Sequence, residues 1–125
     1  MIKKAIKLME QGKYFEAEGI LREEVANSPT NTEALFHLAL ARREQADIGE
    51  AMDLLRDAIR IQPRNATLYF ALGNMQLAVL DYDEAEKNFL KSAGYDPNNV
   101  NARNGLAFLE IRQSRFKAAE HSVRI

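Results

Sequence analysis

The chain contains no cysteine and no tryptophan, only three prolines and six glycines. It also has no unbroken apolar run long enough to cross a bilayer. The missing cysteine excludes disulfides, cysteine nucleophiles and thiolate metal sites. Scarce proline and glycine, with 46% hydrophobic residues in 125, exclude a disordered or fibrous chain. An excess of one charge is absent too: 17 basic residues face 18 acidic ones, so no global field draws the chain to nucleic acid or anionic lipid. The opening Met1-Ile2-Lys3-Lys4-Ala5-Ile6-Lys7 lacks the apolar stretch and small-residue cleavage site of a secretory signal. The cytoplasm is therefore the default location. The length suits one modest core and is short for two ordinary globular domains.

The few prolines are evenly spaced. Pro29, Pro63 and Pro97 lie 34 residues apart, in the phrases Pro29-Thr30-Asn31, Pro63-Arg64-Asn65 and Pro97-Asn98-Asn99. Other positions keep this period. Small residues recur at Ala5, Ala39, Gly73 and Ala107, and again at Ala17, Ala51, Ala85 and Ala119. Leu38, Leu72 and Leu106 share a phase, as do Leu21, Leu55, Phe89 and Val123, and Tyr14, Ile48, Tyr82 and Phe116. A period of this length marks stacked supersecondary units.

Within each unit the apolar spacing is helical, as in Leu35, Leu38 and Ala39 or Ala51, Leu54, Leu55, Ala58 and Ile59. The spacing predicts helices near 2–11, 14–27, 32–45, 48–61, 66–79, 82–95, 100–113 and 116–125. Asp47 and Asp81, each with Glu three residues on, are placed to cap helix starts. Each proline follows an apolar stripe, where its fixed φ and missing N–H stop the helix. The recurring small residues let helix axes approach closely while Leu or Phe fills the remaining volume.

This pattern resembles the tetratricopeptide repeat family, in which two antiparallel helices make a 34-residue unit. Unit two matches through Leu35, Leu38, Ala39, Ala51, Leu55, Ala58 and Pro63, and unit three through Tyr69, Leu72, Gly73, Ala85, Phe89, Ser92 and Pro97. The resemblance implies an all-α, right-handed α-solenoid of stacked antiparallel helical hairpins with about three and a half repeats. One domain over 1–125 would comprise units 1–31 (truncated at its N-terminus), 32–65, 66–99 and 100–125 (truncated at its C-terminus). Where the family often has an aromatic residue late in the first helix, this chain has Leu8, Arg42, Gln76 and Glu110. The last unit stops before its closing alanine and proline. That is the pattern of a segment of a longer repeat protein, or of an end that frays or pairs with another copy.

The resemblance also implies a concave groove lined by the first helix of every unit. Its positions here are Met9 in unit one, Phe36, Leu40 and Arg43 in unit two, Phe70, Asn74 and Leu77 in unit three, and Asn104, Phe108, Ile111 and Arg112 in unit four. Spacings of four and three residues keep each set on one helix face. Large apolar anchors with a polar minority suit a protein or peptide partner. Packing within the hairpins is the competing role for Phe36, Phe70 and Phe108. Some relatives grip a chaperone's C-terminal carboxylate with lysines, an arginine and asparagines. Phe36 and Phe70 stand where polar clamp residues would be needed, which disfavours that ligand.

Enzymatic motifs are missing. His37 and His121 occupy unmatched phases without acidic partners arranged as a triad or a metal site, and no glycine-rich phosphate loop is present. No catalytic residue, metal or cofactor is expected. Residues 99–125 carry five basic and two acidic side chains, a modest patch without a nucleic-acid reading motif. No nucleic-acid partner or membrane insertion follows. Two roles remain: an adaptor whose groove captures a polypeptide of unknown identity, and a structural element joining a homo-oligomer or the rest of a longer chain through open ends. The packing logic makes one quantitative prediction. Replacing Ala51 or Ala85 by Leu overpacks a hairpin and costs about 1–3 kcal/mol in urea denaturation.

Overall fold

The computed structural model describes the backbone of residues 2–123 and the side chains of residues 2–115. Its helices are α1 (Ile2–Glu10), α2 (Tyr14–Asn27), α3 (Thr32–Glu44), α4 (Ile48–Ile61), α5 (Ala66–Ala78), α6 (Tyr82–Tyr95) and α7 (Val100–Val123). No strand occurs among the described residues, so the fold is all-α, built from antiparallel helical hairpins. The contacts group residues 1–68 and 69–125 into two compact bodies.

Two kinds of turn alternate, and both keep the 34-residue period. Within each of the first three hairpins the chain reverses through a left-handed residue: Gly12, Ala46 and Leu80, with φ of 78°, 67° and 66°. The next N–H reaches back five residues: Lys13 N to Leu8 O at 2.8 Å, Asp47 N to Arg42 O at 2.9 Å and Asp81 N to Gln76 O at 2.9 Å. This is the Schellman closure, which satisfies carbonyls left free at a helix end. Between hairpins, the prolines take the second place of a four-residue turn. Asn31 N donates to Ser28 O at 3.0 Å, Asn65 N to Gln62 O at 3.3 Å and Asn99 N to Asp96 O at 3.1 Å. Proline suits that place because its φ is preset. Each asparagine then caps the next helix, Asn31 Oδ1 accepting from Ala34 N at 3.2 Å, Asn65 Oδ1 from Thr67 N at 3.1 Å and Asn99 Oδ1 from Asn101 N at 2.9 Å.

The two aspartates predicted as caps part company. Asp47 Oδ1 accepts from Glu50 N at 3.1 Å, whereas Asp81 makes no side-chain capping bond. Arg42 steers the Asp47 carboxylate. The matching residue in the next unit, Gln76, is uncharged and accepts from Asn88 Nδ2 at 2.7 Å instead.

The largest departure from the sequence expectation is α7. Separate helices at 100–113 and 116–125 are predicted, but a single helix runs from Val100 to Val123. Ser114 and Arg115 occupy the register of Ala46-Asp47 and Leu80-Asp81. They offer neither the glycine with which unit one makes its left-handed turn nor the aspartate that follows the left-handed residue in units two and three. Arg115 and Lys117 would also place positive charge at a helix N-terminus, where the macrodipole opposes it.

In the first body Ala5, Ala17, Leu21 and Leu38 form a buried cluster, with Leu8, Met9, Ile20, Val25 and Leu54 packed on it. Ala39 and Ala51 are also buried. In the second body Ala85, Phe89 and Leu109 form the cluster, joined by Phe70, Leu77, Tyr82 and Leu106. Leu72 and Gly73 are buried, Leu106 is half-buried and Ala107 is exposed, the last because α7 does not return over it. Pro29, Pro63 and Pro97 are exposed turn residues, and the side chain of Ala119 lies outside the described residues.

Phe89 takes the register place of Leu21 and Leu55, and its larger ring fits because two neighbours lack a Cβ. A Cβ on Gly73 would lie 2.7 Å from the ring, and one on Gly105 would lie 2.8 Å from it. Gly73→Ala should therefore cost about 1–3 kcal/mol in denaturant unfolding. Adding Phe89→Leu should recover part of that loss, because it restores the Ala–Leu pairing of the first two units. Equal losses in the single and double variants would contradict the pairing.

Candidate protein-binding site

In the first body a cleft of about 270 Å³ opens between α1 and α3, lined by Ile6, Met9, Glu10, Tyr14, His37, Leu40, Arg43 and Glu44. Helical spacing carries Ile6, Met9 and Glu10 on α1, and His37, Leu40 and Glu44 on α3, to facing stripes. Met9, Leu40 and Arg43, three of the predicted groove residues, thus meet in one place, each half-buried. Glu10, Tyr14 and His37 were not among the expected lining residues. Tyr14 arrives because the tight turn after α1 brings the start of α2 to the cleft edge, while Glu10 and His37 extend the facing stripes of α1 and α3.

Acidic side chains outnumber basic ones at this cleft, Glu10 and Glu44 against Arg43. Arg43 Nη2 donates to Glu44 Oε1 at 3.0 Å. Burial pushes the His37 imidazole below its ordinary value, with Glu33 opposing part of that shift. Phe36 faces elsewhere. It stacks edge-on to His37 at 5.2 Å between centroids and borders a separate shallow cleft with Asn31, Thr32 and Asn65.

In the second body Phe70 and Leu77 pack against the Phe89 cluster, with the Phe70 and Phe89 centroids 6.0 Å apart. Asn74 is half-buried and Asn104 is exposed, while Phe108 and Ile111 are 52% and 57% exposed. Arg112 turns to α6, its guanidinium 4.1 Å from the Tyr82 ring centroid.

Behind the α1–α3 cleft lies a polar network that sequence reading missed. Arg42, where the family pattern favours an aromatic residue, donates from Nη1 to Glu18 Oε1 at 3.0 Å and from Nη2 to Asp47 Oδ2 at 2.7 Å. Its Nε lies 2.9 Å from Glu50 Oε1. Arg22 bridges Glu18 and Glu50, both at 2.6 Å, and Gln45 Nε2 donates to Glu18 Oε1 at 2.9 Å. The signal was available: an arginine on a core-facing register needs acids within reach. Burial alone would raise the Glu18 carboxyl, but the donors Arg22, Gln45 and Arg42 outweigh it and hold the group below its usual range. Arg42 and the Glu50 N–H hold Asp47 low as well.

The tetratricopeptide repeat family model matches residues 2–66 and 65–123, nearly the whole chain. The chain belongs to the tetratricopeptide repeat family. No curated protein sequence matches it. Solved structures share the fold. The first tetratricopeptide domain of Spaghetti (RPAP3), bound to an HSP90 peptide, superposes with a TM-score of 0.84 at 23% identity, covering 90% of this chain and 89% of that one. The first such domain of human RPAP3 gives 0.86 at 22% identity, covering 94% and 92%. The Yersinia enterocolitica chaperone SycD, in complex with a peptide of the translocator YopD, gives 0.83 at 13% identity, covering 90% and 91%.

The Arg42 network of this tetratricopeptide domain predicts an acid response. Glu18 and Asp47 titrate below their ordinary values of 4.5 and 3.8, so the unfolded chain takes up protons first as pH falls. Their contribution is complete near neutrality and is lost as pH drops through those values toward the depressed folded ones. His37, lowered from 6.5, adds a loss that begins near that pH. Glu18→Gln should cost about 1–2 kcal/mol at pH 7 and flatten the acid limb of stability measured by urea unfolding at a series of pH values.

Proposed function

We propose that this chain is a non-enzymatic protein-interaction module that binds an apolar or amphipathic polypeptide segment along the α1–α3 cleft. The observation that carries this reading is the convergence of Ile6, Met9 and Leu40 with Arg43 in one open cleft. Each large apolar side chain contributes roughly 1.5–3 kcal/mol when a partner removes it from water. Arg43, His37 and Tyr14 supply polar contacts at the edge. The family supports the reading, since its solved members include complexes with peptides.

The cleft chemistry selects against an acidic peptide. Glu10 and Glu44 line it, and the Arg43 guanidinium is paired with Glu44. An apolar stripe flanked by basic or neutral residues fits better than a carboxylate-rich tail.

Nuclear magnetic resonance titration with two synthetic probes tests this reading. A leucine-rich amphipathic helical peptide should shift the amides of Ile6, Met9, Leu40 and Arg43, and Leu40→Glu should weaken binding at least ~10-fold. A peptide ending in consecutive glutamate and aspartate residues should leave those amides unmoved. Tight binding of the acidic peptide, with none of the apolar one, would refute the assignment.

A further inference from the structure

The 34-residue register sets α7 apart from the other first helices. Ala5, Ala39 and Gly73 are buried where the second helix of the hairpin returns over them, yet Ala107 in the same register is exposed. A second comparison concerns charge. In unit two the ion pair Arg42–Asp47, 2.7 Å long, ties α3 to the start of the returning helix. Unit four holds the same pair with the signs exchanged, Glu110 and Arg115. Five residues apart on one straight helix, these two side chains point to different faces and cannot meet.

A third comparison concerns the space itself. In the first body Glu18 and Gln45 bond to one another where the start of α4 closes on α2 and α3, through Glu50 to Arg22 and Arg42. The counterparts of Glu18 and Gln45 are Glu86 and Gln113, and both line an open cleft of about 360 Å³ between α6 and α7, with Tyr82, Asp83, Leu109 and Arg112. The segment that would close it by register is 116–123. It carries Phe116, Ala119 and Val123 in the phase of Tyr82, Ala85 and Phe89, and it follows Arg115 and includes Lys117, opposite in sign to Asp83 and Glu86.

We propose that the α6–α7 cleft receives the 116–123 helix of a second copy of this chain, so that two copies exchange the second helix of their fourth hairpin. A straight α7 carries both halves of the pairing, the receiving face around Ala107 and the inserting segment, and cannot bring them together within one copy. Two copies related by a twofold axis satisfy both at once and close the assembly as a dimer. Glu110 of each copy then meets Arg115 of the other. Ser114 and Arg115 sustain the exchange because they disfavour the left-handed reversal that Gly12, Ala46 and Leu80 make. This inference does not rest on the peptide cleft of the first body, which is built from other residues.

Sedimentation equilibrium of the full 125-residue chain, from micromolar to near-millimolar concentration, tests the proposal. The wild type should show a reversible dimer. Ala107→Glu and Glu110→Arg, both at exposed positions, should each weaken it by ~10-fold or more while circular dichroism confirms unchanged helix content. Combining Glu110→Arg, Ser114→Gly and Arg115→Asp joins the left-handed glycine of unit one to the Arg–Asp pair of unit two, so the last helix folds back within its own copy and the product is a monomer. A wild type that stays monomeric throughout, a dimer indifferent to Ala107→Glu and Glu110→Arg, or a rebuilt-turn variant that still dimerises would each overturn the exchange.

Discussion

Everything in this chain depends on a small residue of one helix lying under a large residue of a neighbouring one. Where the large residue is leucine, alanine is small enough, and the first body uses Ala5 and Leu21 in one buried cluster. Where it is phenylalanine, a methyl group is already too much, and the ring of Phe89 occupies the space that side chains on Gly73 and Gly105 would need. Close packing leaves little slack for such mismatches. The size change on α6 and the missing Cβ atoms on α5 and α7 thus form one adaptation spread over three helices.

The same spacing explains how a polar group comes to lie behind the candidate site. Arg42 points to a place the family usually gives to a ring, and an arginine there requires acceptors. Glu18 on α2 and Asp47 and Glu50 at the start of α4 supply them, so the α2–α3–α4 arrangement is fixed by ion pairs as well as by apolar contacts. One residue further along α3, Arg43 lies at the cleft with Leu40. The scaffold and the binding surface therefore share a helix, with successive side chains assigned to different tasks. A site on a helix held this way is more exact in geometry than one on a loop.

Much of this was legible in the sequence, for reasons that differ by residue. Pro29, Pro63 and Pro97 marked the turns because only one place in each turn accepts proline, and α2, α4 and α6 run over the residues their apolar stripes gave. Arg42 was visible as a departure but not as the centre of a network, because its acids come from both sides in sequence. Phe70 and Leu77 hold the registers of Phe36 and Arg43 yet lean onto the Phe89 cluster, where the larger ring on α6 offers them an apolar surface. The continuity of α7 was the hardest to foresee. Phe116, Ala119 and Val123 repeat the apolar pattern faithfully, and only the two residues at the turn, Ser114 and Arg115, break the rule that reverses the chain elsewhere.

The nesting of glycine against the Phe89 ring can be read directly from proton chemical shifts. An aromatic ring packed against an α-carbon shields the attached protons. The account predicts Hα resonances of Gly73 and Gly105 displaced strongly upfield, and both returning toward ordinary glycine values in Phe89→Leu. Ordinary shifts at both glycines in the wild-type chain would contradict the packing on which the fold, and the register of both clefts, is built.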